Sequence, residues 1–343
     1  MNSRVTLLPA HQLITVTGDE SILDAALRAG INLPHSCRAG HCTSCRARIV
    51  AGAVSYPKGR PLGLMPDEER DGYALLCQAR AATADLQIEV RQIRPPAPDI
   101  QVKTLPARID RMQPLAPDVM QVFLRLPASE TFHFAAGQYL DVLLSGHRRR
   151  SFSIASPPHD AALLELHIRR VANGAFTKSL FGEGPQTTLL RIEGPLGQFW
   201  FREESIRPAI LIGGGTGYAP LKAMLRHLLE RGDQRPLHLF WGARTRADLY
   251  EHDLVLEWCR RFHNLKYTPV LSAAHAAGFE KGLVHEAALR QYPDLQGVDV
   301  YASGPPQMIE AIRSEFPAHG LLESQLFFDS FDYAADSSAQ RSS

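Results

Sequence analysis

The stretch CRAGHCTSC, residues 37–45, places three cysteines and one histidine within nine positions. The cysteines are Cys37, Cys42 and Cys45, so their spacing is C-x4-C-x2-C. A fourth, Cys77, follows 32 positions after Cys45 in LLCQAR. The residues between them are mostly small, and Gly40 tolerates a positive φ, so a short loop can bring three thiolates to one point.

The cysteine spacing matches the plant-type pattern that holds a 2Fe-2S cluster, with Cys77 as the fourth ligand. A zinc site is the alternative, but structural zinc usually takes paired knuckles and only Cys42 and Cys45 form one. A Rieske centre needs two histidines on one iron, and neither His35 nor His41 stands in a C-x-H arrangement. We therefore expect a 2Fe-2S cluster.

Composition indicates a globular protein. The chain has 343 residues, of which 45% are hydrophobic and 21% charged, and this length suggests two or three domains. A formal charge of +1 gives no reason to expect nucleic acid. Without a secretion signal or an apolar run of about 18 residues, we expect a cytoplasmic protein. We also expect a monomer. Five cysteines then argue against a disulfide framework, and Cys259 is expected to be a packing thiol.

Changes of pattern divide the chain. The prolines of RPPAPD, residues 94–99, favour an extended spacer. Before it, short strands and the amphipathic helix ESILDAALRAG predict a small α+β domain. With the plant-type cysteine spacing, we expect this domain to be ferredoxin-like, with a β-grasp fold. After it, alternating apolar segments predict an antiparallel barrel, and strands alternating with helices then predict a parallel α/β sheet. The predicted parts are a 2Fe-2S domain at 1–94, a linker at 95–104, a barrel at 105–207, an α/β domain at 208–334 and a flexible tail at 335–343.

Two segments carry a flavin signal: RSFSIAS, residues 150–156, and LHIRRVANGAFTKSL, residues 166–180. They resemble the two flavin motifs of the ferredoxin-NADP reductase superfamily, whose second domain is an FAD-binding barrel. The resemblance implies that Arg150 contacts the FAD pyrophosphate, Phe152 packs on the flavin and Ser153 hydrogen-bonds its ring system. Phenylalanine replaces the commoner tyrosine here and keeps the stacking face. Taken alone, the first motif could be an ordinary barrel strand with an exposed arginine.

The second motif adds backbone contacts. Gly174 and Thr177 would bring amides at a helix start to the FAD phosphates. The predicted FAD-binding residues are Arg150, Ser151, Phe152, Ser153, His167, Ile168, Gly174, Ala175, Phe176 and Thr177.

LIGGGTGYAPLKAML, residues 211–225, reads as a strand, a glycine-rich turn and a helix. Tyr218 breaks the dehydrogenase pattern G-x-G-x-x-G, but the turn resembles the GGTG-[FY]-x-P turn of the reductase superfamily. YASGPPQMIEA, residues 301–311, resembles the superfamily's C-G-P-x-x-M segment beside the nicotinamide. Ser303 replaces the usual cysteine, which predicts less efficient hydride transfer. The predicted dinucleotide-binding residues are Gly214, Gly215, Thr216, Gly217, Arg244, Arg246, Gly304 and Pro305.

NADH is the expected electron donor, since the resemblance is to NADH-dependent oxygenase reductases. NADPH stays open because Arg244 and Arg246, in the adenosine-reading strand FWGARTRADLY, could hold a 2′-phosphate. The terminal FFDSFDYAAD resembles an element whose aromatic residue shields the flavin. Phe331 is the candidate, Phe328 and Tyr333 are the alternatives, and an aromatic edge of the core is the competing interpretation.

From about residue 3 to 334 the order of these motifs is similar to single-chain reductases of multicomponent oxygenases, and most to the CDP-6-deoxy-Δ3,4-glucoseen reductase group. The resemblance implies hydride transfer from NADH to FAD, then single electrons through the cluster to a protein acceptor. That acceptor would be an oxygenase component or a sugar-nucleotide dehydrase. Ser153, Ser303 and Phe331 are the catalytic candidates. A redox sensor or carrier with weak NADH turnover is the alternative function.

The charge of the first segment predicts how the acceptor docks. Residues 1–94 carry 11 basic and 9 acidic side chains, a local charge of +2. Arg38, His41, Arg46 and Arg48 stand near the predicted cluster ligands. We therefore expect an acceptor with an acidic docking face.

Overall fold

The computed structural model describes residues 2–31, 33–35, 38, 40, 44–61, 63–90, 100–145, 148–171, 174–182, 188–274 and 276–330. These residues form two compact units. One unit covers the described residues up to Lys103 together with Pro195–Gln198 and Ser330, and the other covers Thr104–Gly194 and Phe199–Asp329.

The first unit is a mixed sheet with a helix packed on it. Its elements are β1 (Asn2–Leu8), β2 (Gln12–Thr17), α1 (Ile22–Arg28), β3 (Arg46–Ala51), β4 (Val54–Ser55), α2 (Pro66–Arg70), β5 (Tyr73–Leu75), β6 (Arg80–Ala81) and β7 (Asp85–Glu89). The main sheet has the order β2-β1-β7-β3-β5, with β1 and β7 parallel, and β4 pairs with β6. Ser21 caps α1 by accepting a hydrogen bond from the Asp24 amide at 3.0 Å.

A six-stranded antiparallel barrel begins the second unit. Its elements are β8 (Lys103–Ala116), β9 (Val119–Arg125), β10 (Tyr139–Leu143), β11 (Arg149–Ser153), β12 (Leu163–Arg169), α3 (Ala175–Leu180) and β13 (Leu189–Leu196). The strand order is β11-β10-β13-β8-β9-β12. Ile154, directly after β11, bridges Leu166 of β12, so the two edge strands meet and close the barrel.

A parallel sheet with crossover helices completes the second unit. Its elements are β14 (Ala209–Gly214), α4 (Tyr218–Glu230), β15 (Leu237–Ala243), α5 (His252–Arg261), β16 (Leu265–Leu271), β17 (Glu280–Lys281), α6 (Val284–Gln291), β18 (Asp299–Gly304), α7 (Pro306–Glu315) and β19 (Leu326–Ser330). The strand order is β17-β16-β15-β14-β18-β19. β14 is central, and the chain leaves its carboxyl end through a turn into the mostly buried helix α4.

The three predicted fold classes are confirmed, whereas one long strand was not expected. β8 carries Pro106 and Pro114 and is largely exposed, so it lacks the apolar alternation that marks its neighbours. The pairing of β8 with β9 shifts register at two places, where Asp110 and Leu115 are the extra residues of β8. None of the described helices is long and apolar enough to cross a membrane.

A buried histidine in the parallel sheet gives this unit a pH dependence. His238 hydrogen-bonds Tyr292 at 2.8 Å and Thr268 at 2.9 Å. Burial, helped by the charge of Lys266, lowers the pKa of His238 to about 4. Between about pH 4 and the ordinary histidine pKa, the unfolded chain therefore binds more protons at this residue than the folded protein does. The free energy of unfolding falls as the pH falls through that range.

We expect the free energy of urea-induced unfolding to fall by about 3 kcal/mol between about pH 6.5 and about pH 4 through His238. The His238→Gln variant should lose this part of the pH dependence. His263→Gln, at an exposed position, is the control and should follow the unmodified protein. Equal pH dependence in all three proteins would contradict the assignment.

Candidate cofactor sites

The glycine-rich turn after β14 packs directly on the end of β18. The two strands pair in parallel with Gly213 opposite Ser303, and the turn then leads into α4. A Cβ atom on Gly217 would lie 1.9 Å from the Ser303 carbonyl oxygen, so only glycine fits. The structure thus brings together the two predicted dinucleotide-binding segments, residues 214–217 and 303–305, which we call the dinucleotide cradle.

Three further contacts fix the cradle. A Cβ on Gly214 would lie 2.8 Å from Cδ of Pro305, so these segments touch at a second point. The Trp241 indole donates a hydrogen bond to the Gly215 carbonyl at 2.9 Å. The Tyr218 ring stacks on Trp241 with centroids 3.9 Å apart. The turn is therefore anchored to β18 on one side and to β15 on the other.

Ser303 is completely buried at this point. Its hydroxyl has no hydrogen-bond partner among the described residues. A buried hydroxyl left unpaired is unfavourable by about 1–3 kcal/mol, and a ligand atom could satisfy it. This hydroxyl, together with the absence of a side chain at Gly217, fits a nicotinamide dinucleotide lying against the backbone.

The two predicted adenosine-side arginines lie at the same edge of the sheet. Arg244 and Arg246 follow β15 and are exposed. Because β15 runs parallel to β14 with Gly242 opposite Gly214, their loop starts level with the cradle. Asp248 fixes this loop by accepting hydrogen bonds from the Thr245 amide and hydroxyl, both at 3.0 Å.

The first flavin motif forms β11. Ser151 lies opposite Asp141 of β10, and its hydroxyl donates to that buried carboxylate at 2.6 Å. The half-buried Phe152 ring packs 5.7 Å from the Phe176 ring, so the two flavin motifs meet there. Arg150 and Ser153 are both partly exposed and remain accessible to a ligand.

The second flavin motif forms β12 and the start of α3. Ile168 is buried in the barrel core, so only its backbone can face a ligand. Both ring nitrogens of His167 contact protein atoms, as described below. The Thr177 hydroxyl donates to the Gly174 carbonyl at 3.1 Å and closes the turn before α3. The helix α3 begins at Ala175.

Two of the four predicted cluster ligands fall within the described residues. Cys45 and Cys77 are buried, and the Leu76 amide donates to the Cys45 carbonyl at 3.1 Å, which sets the two cysteines at the ends of paired strands. The buried Ser44 hydroxyl has no partner among the described residues, which fits an acceptor such as a cluster sulfide. Cys37 and Cys42 lie outside the described residues.

The remaining candidates are placed as follows. Phe328 belongs to β19 and packs on the sheet core, with the Arg313 guanidinium 5.3 Å from its ring centre. Phe331 and Tyr333 lie outside the described residues. Cys259 is half-buried against the core of the parallel sheet, and burial raises the pKa of its thiol.

A buried ionic cluster next to the cradle was not predicted. The Lys222 ammonium, on α4, lies 2.7 Å from Oε1 of Glu165 and 2.6 Å from Oε1 of Glu251. Glu165 is on β12 of the barrel, and Glu251 precedes α5 of the parallel sheet. His167 Nε2 contacts the same Glu165 oxygen at 2.8 Å, and its Nδ1 lies 3.0 Å from the Tyr250 hydroxyl.

The electrostatics of this cluster favour the charged form of Glu165. Burial alone would raise the pKa of Glu165, but the hydrogen bond from His167 and the charge of Lys222 outweigh it and hold that pKa well below its usual range. Glu165, His167 and Glu251 are close enough to share a cation. The Lys222 ammonium is that cation, since it bonds both carboxylates.

Two sequence signals could have revealed this cluster. A glutamate interrupts the apolar strand LLELHIRR, and a lysine interrupts the apolar helix segment YAPLKAML. Charged residues are rarely buried unless they are paired. The sequence alone does not say which residues pair, because the partners are 57 and 29 positions apart.

Three family models match successive parts of the chain. A 2Fe-2S iron-sulfur cluster binding domain matches residues 5–82, an oxidoreductase FAD-binding domain residues 106–201, and an oxidoreductase NAD-binding domain residues 211–314. The CDP-6-deoxy-L-threo-D-glycero-4-hexulose-3-dehydrase reductase of Yersinia pestis is 37% identical over 332 residues, 96% of this chain and 99% of that protein. The chain belongs to this family of iron-sulfur flavoprotein reductases.

Other relatives of the reductase serve oxygenases. The phenol 2-monooxygenase reductase component DmpP of Pseudomonas sp. strain CF600 is 34% identical, over all of this chain and 98% of that one. The crystal structure of the Amycolatopsis cytochrome P450 reductase GcoB has a TM-score of 0.80 and 29% identity, covering 96% and 98% of the two chains. The reductase is therefore an NAD(P)H-dependent oxidoreductase with FAD and a 2Fe-2S cluster, and it transfers electrons to a protein partner.

The close approach at Gly217 gives a direct test of the cradle. We expect Gly217→Ala to weaken NAD⁺ binding, measured by calorimetry, by about tenfold or more, since forcing a methyl group into a packed site costs about 1–3 kcal/mol. Gly232→Asn is the control, because a Cβ there meets no atom within 4 Å and asparagine tolerates the positive φ of 77° at this position. Unchanged affinity in Gly217→Ala would contradict a ligand site at this turn.

Proposed function

We propose that the reductase takes hydride from NADH onto FAD and passes electrons one at a time through its 2Fe-2S cluster to an oxygenase component or a sugar-nucleotide dehydrase. The observation that carries this proposal is the dinucleotide cradle, built from Gly217 against Ser303, beside strand β12 of the flavin barrel. Relatives of both kinds, a dehydrase reductase and a phenol monooxygenase reductase, support both acceptor classes.

The residues of each site have distinct tasks in this proposal. For the flavin, Arg150 would neutralise the FAD pyrophosphate while Phe152 and Ser153 would orient the ring system. In the cradle, the backbone of residues 214–217 would hold the dinucleotide pyrophosphate and Ser303 would contact the nicotinamide. Four cysteines, Cys37, Cys42, Cys45 and Cys77, would hold the cluster.

FAD exchanges electron pairs with a nicotinamide and single electrons with an iron-sulfur cluster, and this conversion is the chemistry it supplies when bound. The protein positions the groups and excludes water from them. Burial of Ser303 and the tight packing at Gly217 serve this purpose. Phe331 is proposed to cover the flavin when the nicotinamide is absent.

NADH is the proposed donor, with NADPH as the second candidate. The observation that favours NADPH is the exposure of Arg244 and Arg246 at the adenosine side of the cradle. Because all three carrier sites lie in one chain, we also propose that the reductase works as a monomer. We place it in the cytoplasm, where reduced nicotinamides are available.

Anaerobic addition of NADH to the purified protein tests the function. We expect the flavin absorbance and then the cluster absorbance to bleach within seconds, and NADPH to act more slowly at equal concentration. Apoprotein reconstituted with the cluster but without FAD is the control and should not bleach. If neither nicotinamide reduces the flavin of the complete protein within minutes, the proposal is wrong and a sensor or carrier role replaces it.

Fewer basic side chains are available for docking an acidic acceptor than the sequence suggested. Arg38 pairs with Asp24 at 2.5 Å, and Arg46 pairs with Glu68. These partners compensate much of the positive charge of the two arginines. Arg48 is exposed, and His41 lies outside the described residues. The proposal of an acidic docking face therefore depends mainly on Arg48 and on the net charge of the segment.

Ionic strength tests the docking proposal. We expect Arg48→Glu to slow electron transfer to the oxygenase or dehydrase acceptor several-fold at low salt, because like charges repel at encounter, and the difference should vanish at high salt. Arg4→Glu, at another exposed position of the same unit, is the charge-matched control; it also removes the exposed ion pair with Asp85, which is worth less than about 1 kcal/mol. Rates that do not depend on salt in any of the proteins would overturn this proposal.

A further inference from the structure

One side chain connects the two halves of the second unit. Lys222 lies one turn into α4, which begins directly after the glycine-rich turn, and its side chain is only 5% exposed. Its ammonium bonds Glu165 of the barrel and Glu251 of the parallel sheet at 2.7 and 2.6 Å. A single buried charge therefore joins the flavin strand, the helix that follows the cradle and the segment that follows β15.

The barrel end of this bridge is rigidly held. Besides Lys222, two other groups contact Oε1 of Glu165. His167 Nε2 lies 2.8 Å from it, and the side-chain amide of Gln121 on β9 donates a hydrogen bond to it. Gln113 on β8 in turn donates to Gln121. Three barrel strands thus fix the position of the Glu165 carboxylate. In a water-excluded site such bonds are strong and directional, so Lys222 has one favourable position.

The other end of the bridge reaches the cradle. Tyr218, the first residue of α4, stacks on Trp241, whose indole holds the Gly215 carbonyl. Arg169, two residues after His167 on β12, has a guanidinium nitrogen 3.6 Å from the position of a Cβ on Gly215. A displacement of α4 relative to β12 would therefore move the glycine-rich turn relative to the flavin strand.

We propose that Lys222 is a positioning residue for hydride transfer. Its bridge to Glu165 and Glu251 sets the distance between the dinucleotide cradle and the flavin strand. This inference rests on the proposed function, since it concerns the same two sites. Hydride transfer requires the reacting atoms within about 3–3.5 Å, and a displacement of about 1 Å can slow a reaction by about a hundredfold.

The experiment must separate positioning from stability. Lys222→Met removes the positive charge that compensates the carboxylates of Glu165 and Glu251, which destabilises a protein strongly. The triple variant Lys222→Met, Glu165→Gln, Glu251→Gln is neutral throughout, and such replacements of buried ion pairs are often tolerated. Arg226→Met is the matched control, because this arginine also lies on α4 and faces the barrel residue Asp160, but in a more exposed pair.

We expect Lys222→Met to lower the rate constant of flavin reduction at saturating NADH by about tenfold or more, with the dissociation constant for NAD⁺ changed by less than about threefold. In the triple variant the urea midpoint should return towards that of the unmodified protein while the rate constant stays low. Arg226→Met should match the unmodified protein in the rate constant, the midpoint and the affinity.

Recovery of the rate constant together with the midpoint in the triple variant would overturn the proposal, because the role would then be structural only. A normal rate constant in Lys222→Met would overturn it as well. Hydrogen exchange gives a readout that does not need turnover. Lys222→Met and the triple variant should both exchange faster than the unmodified protein in residues 163–169 and 215–222. Unchanged exchange in these residues would contradict the positioning role of Lys222. This result does not depend on whether NADH or NADPH reduces the flavin.

Discussion

The contact between Gly217 and the Ser303 carbonyl is the constraint on which the nicotinamide side of the structure depends. With 1.9 Å between that oxygen and the place of a Cβ atom, the glycine-rich turn can adopt this path only without a side chain. The parallel pairing of β14 with β18 creates the approach, since it brings both carboxyl ends to one edge of the sheet. This topology favours a ligand site at this edge, and in the proposed function the glycines let the dinucleotide reach the backbone.

Charge, rather than apolar packing alone, connects this edge to the barrel. Apolar contacts such as Gly137 against Met224 bring α4 onto the barrel, but they are not directional. The pairs of Lys222 with Glu165 and Glu251 are directional and buried, and each partner comes from a different part of the unit. Such an arrangement adds little net stability, and in the proposed role of Lys222 it defines one geometry.

The fold classes were predictable because cysteine spacing, glycine-rich turns and strand alternation are local signals. β8 was not, since Pro106 and exposed polar residues hide its pattern and its pairing comes from β9 and β13. The cradle was predictable as two motifs, but only the parallel sheet brings them together. For the bridge at Lys222, the sequence shows the charged residues within apolar segments but not which of them pair. His167 stays a predicted flavin residue, although the sequence did not show that both its ring nitrogens contact protein atoms.

The central claim is that residues 214–217 and 303–305 form one site for the nicotinamide dinucleotide. Hydrogen exchange of the FAD-loaded protein with and without NAD⁺ tests it most directly. We expect slower exchange in the peptides of residues 211–218 and 301–305 at the same NAD⁺ concentration, because one ligand covers both. Protection of only one of the two segments, or of neither, would contradict the account.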